Sequence, residues 1–118
     1  MAGFGSPIDD GRDVGSLEAW LLADPDATYL ISMDGDALLD AQIAPGDFLL
    51  TQRTRTVRAG DIVVAEIDGD YVVRFLRKNG RGEQYLEAAN DAYPKLVPQE
   101  SLNIEGKVIA CIRKYGSE

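Results

Sequence analysis

The stretch GDIVVAEIDGDYVVRFLRKNG, residues 60–80, narrows the fold more than any other part of the chain. Two runs rich in valine, isoleucine and aromatic residues flank Asp68-Gly69-Asp70. Asp-Gly readily adopts the left-handed backbone of a tight hairpin turn, and β-branched and aromatic side chains suit a pleated, half-buried surface. The stretch is therefore expected to be a β-hairpin.

The remaining runs agree with it. ATYLISM, PGDFLLTQ, EQYLEAA and NIEGKVIACIRKY each read as a strand, and NDAYPKLVP as a proline-punctuated connection. GDALLDAQI reads as a turn followed by about one helical turn. SLEAWLLADP predicts the one short helix, with Ser16 as N-cap, Leu17, Trp20 and Leu21 on one face, and Asp24-Pro25 as its end. Residues 1–15, rich in Gly, Asp and Pro without periodicity, read as an extended N-terminal arm, which leaves 16–118 as one β-rich domain. The expected fold class is mostly β: a compact, curled sheet of about six strands with one helix at the front.

Composition removes several functions. The formal net charge is −8, which repels phosphate backbones, so no direct nucleic-acid binding is expected and any link to DNA would run through a partner. There is no histidine, so Ser-His-Asp and Cys-His catalysis and imidazole metal ligands are absent. The single Cys111 lies in an alternating apolar run, where a buried strand thiol is expected; it cannot form an internal disulfide. No apolar run is long enough to span a membrane and no signal-peptide pattern opens the chain, so a cytoplasmic protein is expected.

The segment ISMDGDALLDAQIAPGDFLL, residues 31–50, has the look of a site. Asp34, Asp36 and Asp40 lack the third spaced oxygen residue, the mid-loop glycine and the distant glutamate of a calcium loop, so no metal is expected. A plainer reading is that Gly35 supplies a tight turn while the acids solvate it or cap the short helix.

The order of these blocks resembles the LexA/UmuD family of self-cleaving serine–lysine peptidases. That family shows a strand, Gly-Asp-Ser-Met, a helical turn, then Gly-Asp and a further strand. Here the block reads Gly35-Asp36-Ala37-Leu38, followed by Ile43, Pro45, Gly46 and Asp47. AGDIVVAEIDGDYVVRFL is similar to the family's hairpin and lysine-bearing strand, and NDAYP and LNIEGKVI to two later blocks. Pro94 comes one residue early, and Glu105 and Lys107 replace apolar positions. At the front, AGFGSP resembles the bond that UmuD-like proteins cut in themselves, with Ala2-Gly3 as the scissile pair.

The resemblance implies a serine nucleophile and a lysine general base. A methyl group stands at the nucleophile position, Ala37, and a guanidinium at the base position, Arg74. Alanine has no lone pair, and arginine keeps its proton at any ordinary pH. Lys78 has no nucleophile to activate, and Ser32 falls within an expected strand. The chain is thus expected not to cut itself, although the resemblance implies the scaffold of a hydrolase. Arg74 is expected to form an ion pair with Asp34 or Asp36. An engineered serine-to-alanine change explains Ala37 easily and Arg74 less easily; natural loss of both is the other reading. Because Met1-Ala2-Gly3 opens the sequence, the resemblance also suggests the short, processed form of a UmuD-like protein.

What the family implies for function is a homodimeric accessory subunit of an error-prone Y-family DNA polymerase in the SOS response, with the RecA filament as a further partner and no cofactor. The alternatives are a regulatory pseudo-peptidase that heterodimerises with an active UmuD or LexA relative, an engineered inactive variant, a repressor-derived dimerisation domain, and a hydrolase built on some other constellation.

Overall fold

The computed structural model describes residues 15–116. Helix α1 (Leu17–Leu21) and a short 3-10 turn at Pro25–Ala27 lead into β1 (Thr28–Ser32). A second 3-10 turn, Leu39–Ala41, precedes β2 (Phe48–Gln52), β3 (Ile62–Ile67), β4 (Asp70–Lys78), β5 (Gln84–Glu87) and β6 (Leu102–Ile112). The strands form one antiparallel sheet in the order β1-β2-β6-β3-β4-β5. Among the described residues the mostly-β class with a single short α-helix is thus the observed one. The arm expected at residues 1–15, including Ala2 and Gly3, lies outside the described residues except for Gly15.

The predicted hairpin is β3–β4. Ile67 pairs with Asp70, leaving a two-residue loop in which Asp68 (φ 50°) and Gly69 (φ 94°) both take left-handed backbone. Asp68 also ties down the distant segment before β6. Its carboxylate accepts the backbone N–H groups of Gln99 at 2.9 Å, Glu100 at 2.7 Å and Ser101 at 3.0 Å. Beside it, Glu66 accepts from Gly69 N–H, from the Ser101 hydroxyl at 3.1 Å and from the Asn103 amide at 2.5 Å.

The sheet curls around β6, the central strand. The β2–β6 register slips between Leu50 and Thr51, and the β3–β6 register slips between Val64 and Ala65. Both slips leave an extra residue on β6, Ile109 in one case and Glu105 in the other, and such bulges bend a strand and increase its twist. Gly106 lies beside one of them. A Cβ there would stand 2.7 Å from Thr51 Cγ2, 2.9 Å from the Gln52 carbonyl oxygen and 2.9 Å from the Tyr29 hydroxyl. Only a residue without a side chain lets β1, β2 and β6 approach so closely.

Curling divides the core into two clusters. Met33, Ala37, Leu38, Ile43 and Leu49 form one, with Val73, Phe75 and Tyr93 packed against it. Val63, Ala65, Ile67, Leu76 and Leu86 form the other, with Val72 and Leu96 against it. The strand period of two sends Val73 and Phe75 to the first cluster and Val72 and Leu76 to the second.

The expected short helix forms: Ser16 caps α1, its hydroxyl accepting the Ala19 N–H at 3.2 Å, though the helix ends at Leu21, before Asp24-Pro25, and none of its residues is buried. Leu17 and Trp20 are 63% and 66% exposed. Another expectation is corrected. Cys111 is exposed rather than buried. It lies near the end of β6, and its thiol points 3.6 Å from the Asp47 carboxylate instead of into an apolar cluster.

That carboxylate is buried and paired. Arg113 Nε and Nη2 donate to its two oxygens at 2.7 Å each, and the Ala44 N–H donates at 2.8 Å. The Arg113 hydrogen bonds first, and then the Ala44 N–H, hold Asp47 well below the usual carboxylate range. Asn103 and the Gly69 N–H lower Glu66, and the Gln99, Ser101 and Glu100 N–H groups lower Asp68. A carboxyl with a depressed folded-state pKa is protonated first in the unfolded chain, near pH ~4. Its contribution is complete above that value and is lost as pH falls through it toward the folded-state pKa. The urea midpoint is therefore expected to be flat from about pH 7 to 5 and to fall steeply below about pH 4, with Asp68→Asn flattening part of the fall. A wild-type midpoint unchanged down to about pH 3 would contradict the three assignments.

Candidate active site

The turn after β1 is built from local constraints. The Met33 N–H donates to the Asp47 carbonyl at 2.7 Å and the Gly46 N–H returns to the Met33 carbonyl at 2.9 Å, so both ends of the loop are clamped. Gly35 reverses the chain at φ 87°, a conformation that costs any other residue strain. The Leu39 N–H then meets the Asp36 carbonyl at 3.2 Å, and the following 3-10 turn closes at Gln42, φ 69°. This geometry drives Ala37 and Leu38 inward, to 3% and 0% exposure.

A second segment, residues 88–93, braces that turn. The Ala89 N–H donates to the Ala37 carbonyl at 2.8 Å, and the Asp40 N–H donates to the Ala89 carbonyl at 2.8 Å. Asn90 Nδ2 donates to the Asp36 carbonyl at 2.9 Å, and the Tyr93 hydroxyl donates to Asp36 Oδ1 at 2.7 Å. Donation to Asp36, burial and the Asp36 charge all push the Tyr93 phenol above its usual range, so it remains a donor at neutral pH. Nothing in the sequence assigns Ala89, Asn90 or Tyr93 a role in the site. The only signal was the NDAYP block, whose function cannot be inferred without its partner across the fold.

Tyr93 also links the turn to β4. Its ring packs against the cluster holding Ala37, and the Arg74 guanidinium carbon lies 5.3 Å from the ring centroid. By alternation Arg74 belongs to the side of β4 opposite Val73 and Phe75, yet its head group reaches the ring that touches the Ala37 cluster. Gly35, Asp36, Ala37 and Leu38 are thus gathered in one turn, and Arg74 meets that turn through Tyr93.

The expected ion pair does not form. Among the described residues Arg74 is bridged to no carboxylate. Asp36 is engaged by Tyr93, and Arg74 Nη1 bonds instead to the neighbouring Val73 carbonyl at 2.9 Å. Arg74 Nε is buried without a partner. Burial lowers the guanidinium pKa from its ordinary value, but a group that starts so high stays charged at neutral pH.

Two clefts flank the arginine. One, of about 320 Å³, is lined by Ile31, Asp34, Tyr71, Val73 and Arg74 among others. The other, of about 490 Å³, includes Asp70, Val72, Arg74, Lys95 and Gln99. Ser32 is exposed on β1, and Lys78, at the far end of β4, is roughly 13 Å along the strand from Arg74. At Ala37 the turn offers no hydroxyl, and Arg74 offers charge and hydrogen-bond donors but no base.

A strand, a glycine turn with a helical turn, a braced loop and a hairpin strand bearing a cation are thus assembled on one curled sheet. The family described as Peptidase S24-like matches residues 1–109. The chain belongs to this family, that of LexA and UmuD. It is 40% identical over 91 residues to the LexA repressor of Alcanivorax borkumensis, covering 76% of this chain and 44% of that protein. It is 36% identical over 117 residues to Protein SamA of Salmonella typhimurium, covering 98% of this chain and 81% of that protein. The chain therefore spans less than half of the LexA repressor and most of SamA. Among the described residues no helix is long and apolar enough to cross a membrane.

Proposed function

We propose that this protein is a non-cleaving, UmuD-like member of the family that works by binding: a homodimeric accessory subunit of an error-prone Y-family DNA polymerase in the response to DNA damage. The observation that carries the reading is the turn at Ala37. Its glycine reversal, its 3-10 turn and its braces from Ala89, Asn90 and Tyr93 are all present, with a methyl group where the family's nucleophile would need a hydroxyl. In this reading Ala37 occupies the nucleophile position and Arg74 the position of the general base. Without that chemistry what the fold offers is its surfaces, and in this family the dimer, not the active site, presents the working surface. The net charge of −8 favours a protein partner over direct contact with DNA.

Co-expression with a Y-family polymerase tests the role: the polymerase is expected to co-purify with a dimer of this chain, and a monomer that retains none would overturn the reading. The positions of the lost pair are tested separately. Ala37→Ser with Arg74→Lys, in a chain preceded by a UmuD-like arm, is expected to cleave at the Ala-Gly bond. The rate should rise by roughly a thousandfold or more over the unsubstituted protein. It should also climb with pH, because the new lysine must be neutral to act as base. Absence of cleavage from pH ~7 to ~10 would show that the two side chains do not meet as proposed.

A further inference from the structure

Arg74 carries a charge that no described residue balances. A guanidinium offers five N–H donors, and one is used, on the Val73 carbonyl at 2.9 Å. Nε is buried and unpartnered, and Asp36 is taken up by Tyr93. A half-buried, unpaired cation is costly to the folded chain, and an anion arriving at it recovers part of that cost.

The strand beside it is equally incomplete. On one side β4 pairs with β3 from Asp70 to Phe75. On the other side it pairs with β5 only from Phe75, opposite Glu87, onward. Residues 70–74 therefore present a strand edge without a backbone partner among the described residues, its Val73 carbonyl taken by Arg74 Nη1, with clefts of about 320 and 490 Å³ beside it and Arg74 in the wall of both. Tyr71, 70% exposed, offers apolar surface along that edge. An extended peptide pairing there is stopped at Phe75 by Glu87. If it runs parallel to β4, the end that stops at Arg74 is its C-terminus.

We propose that this open edge of β4 takes up an extended peptide whose C-terminal carboxylate is held by the Arg74 guanidinium. The other charges around the clefts select against acidic side chains along the peptide. Asp34 and Asp70 line the walls, the Asp68 carboxylate is committed to three backbone N–H groups, and Lys95 is held over the Tyr85 ring at 5.4 Å. The favoured ligand is thus apolar or neutral along its length and charged only at its end. The inference rests on the reading that this site does not cut peptides, and on no other part of the proposed function.

The probes are two acetylated pentapeptides, Ala-Val-Thr-Val-Ala with a free C-terminal carboxylate and the same sequence amidated, titrated into the whole protein by calorimetry. The free acid is expected to bind at least about tenfold tighter than the amide, and Arg74→Gln to remove that difference. In the unsubstituted protein the Arg74 Nε–H resonance is expected to shift on adding the acid and not the amide, a readout that does not depend on a variant folding. Equal affinities, no binding of the intact acid, or an unmoved resonance would overturn the carboxylate site alone. A cleaved peptide, seen by mass in the same sample, would overturn the non-cutting reading and this inference with it.

Discussion

Gly106→Ala is expected to lower the unfolding free energy by about 3 kcal/mol, at the upper end of the cost of overpacking a close-packed site. Replacing a glycine in regular structure with alanine ordinarily stabilises a protein by about 0.4–1 kcal/mol through the unfolded chain. Here contact reverses the sign. The new methyl would meet Thr51 Cγ2 at 2.7 Å and the Gln52 carbonyl at 2.9 Å, and Gln52 is the residue of β2 that pairs with Lys107 next to the glycine. A backbone carbonyl in a paired strand cannot rotate away, so β2 and β6 must separate, and Tyr29 of β1 must move with them. Urea unfolding should show a lower midpoint with an unchanged slope. A midpoint at or above that of the unsubstituted protein would mean that the strands do not pack this closely.

Leu38→Ala is expected to cost about 3–4 kcal/mol, within the usual range for removing a buried leucine. Leu38 has no exposed surface and sits among Met33, Ile43 and Leu49 directly beside Ala37. Truncation leaves a cavity under the turn that carries the proposed nucleophile position, and the hydrogen bonds bracing the turn from residues 89 and 90 limit its collapse. Leu38→Met, close in volume, should cost less than about 1.5 kcal/mol. The contrast between the two variants, read from the same urea titrations, separates loss of packing from loss of a specific side chain. Near-equal midpoints for both would show that the turn is not held by this core contact.

Much of the strand framework could be read from residues close together in the chain. Asp68-Gly69 between alternating runs specifies a tight turn because local sterics alone decide where left-handed backbone is tolerated. Ser16 caps the helix for the same local reason. The turn holding Gly35, Asp36, Ala37 and Leu38 and the place of Arg74 on the hairpin were legible, the proposed roles of Ala37 and Arg74 resting on the family outline. The internal contacts of the site were not. The Tyr93–Asp36 hydrogen bond joins residues 57 apart, and the Arg113–Asp47 pair joins residues 66 apart. No local pattern marks such partners.

The sequence by itself determined the period of the strands, the place of the hairpin turn, and the absence of a hydroxyl at position 37 and of a neutralisable amine at position 74. These follow from the identity of single residues and of their immediate neighbours. Only the tertiary structure decided which carboxylates found partners. Asp36 went to Tyr93 rather than to Arg74, and Asp47 drew Arg113 and the Cys111 thiol to the end of the sheet. It also decided that Gly106 must be bare, since the atoms excluding a side chain there come from β1 and β2. The physical reason is common to all three: hydrogen bonds and steric contacts act over a few ångströms in space, and the curl of the sheet sets which distant residues come within that reach.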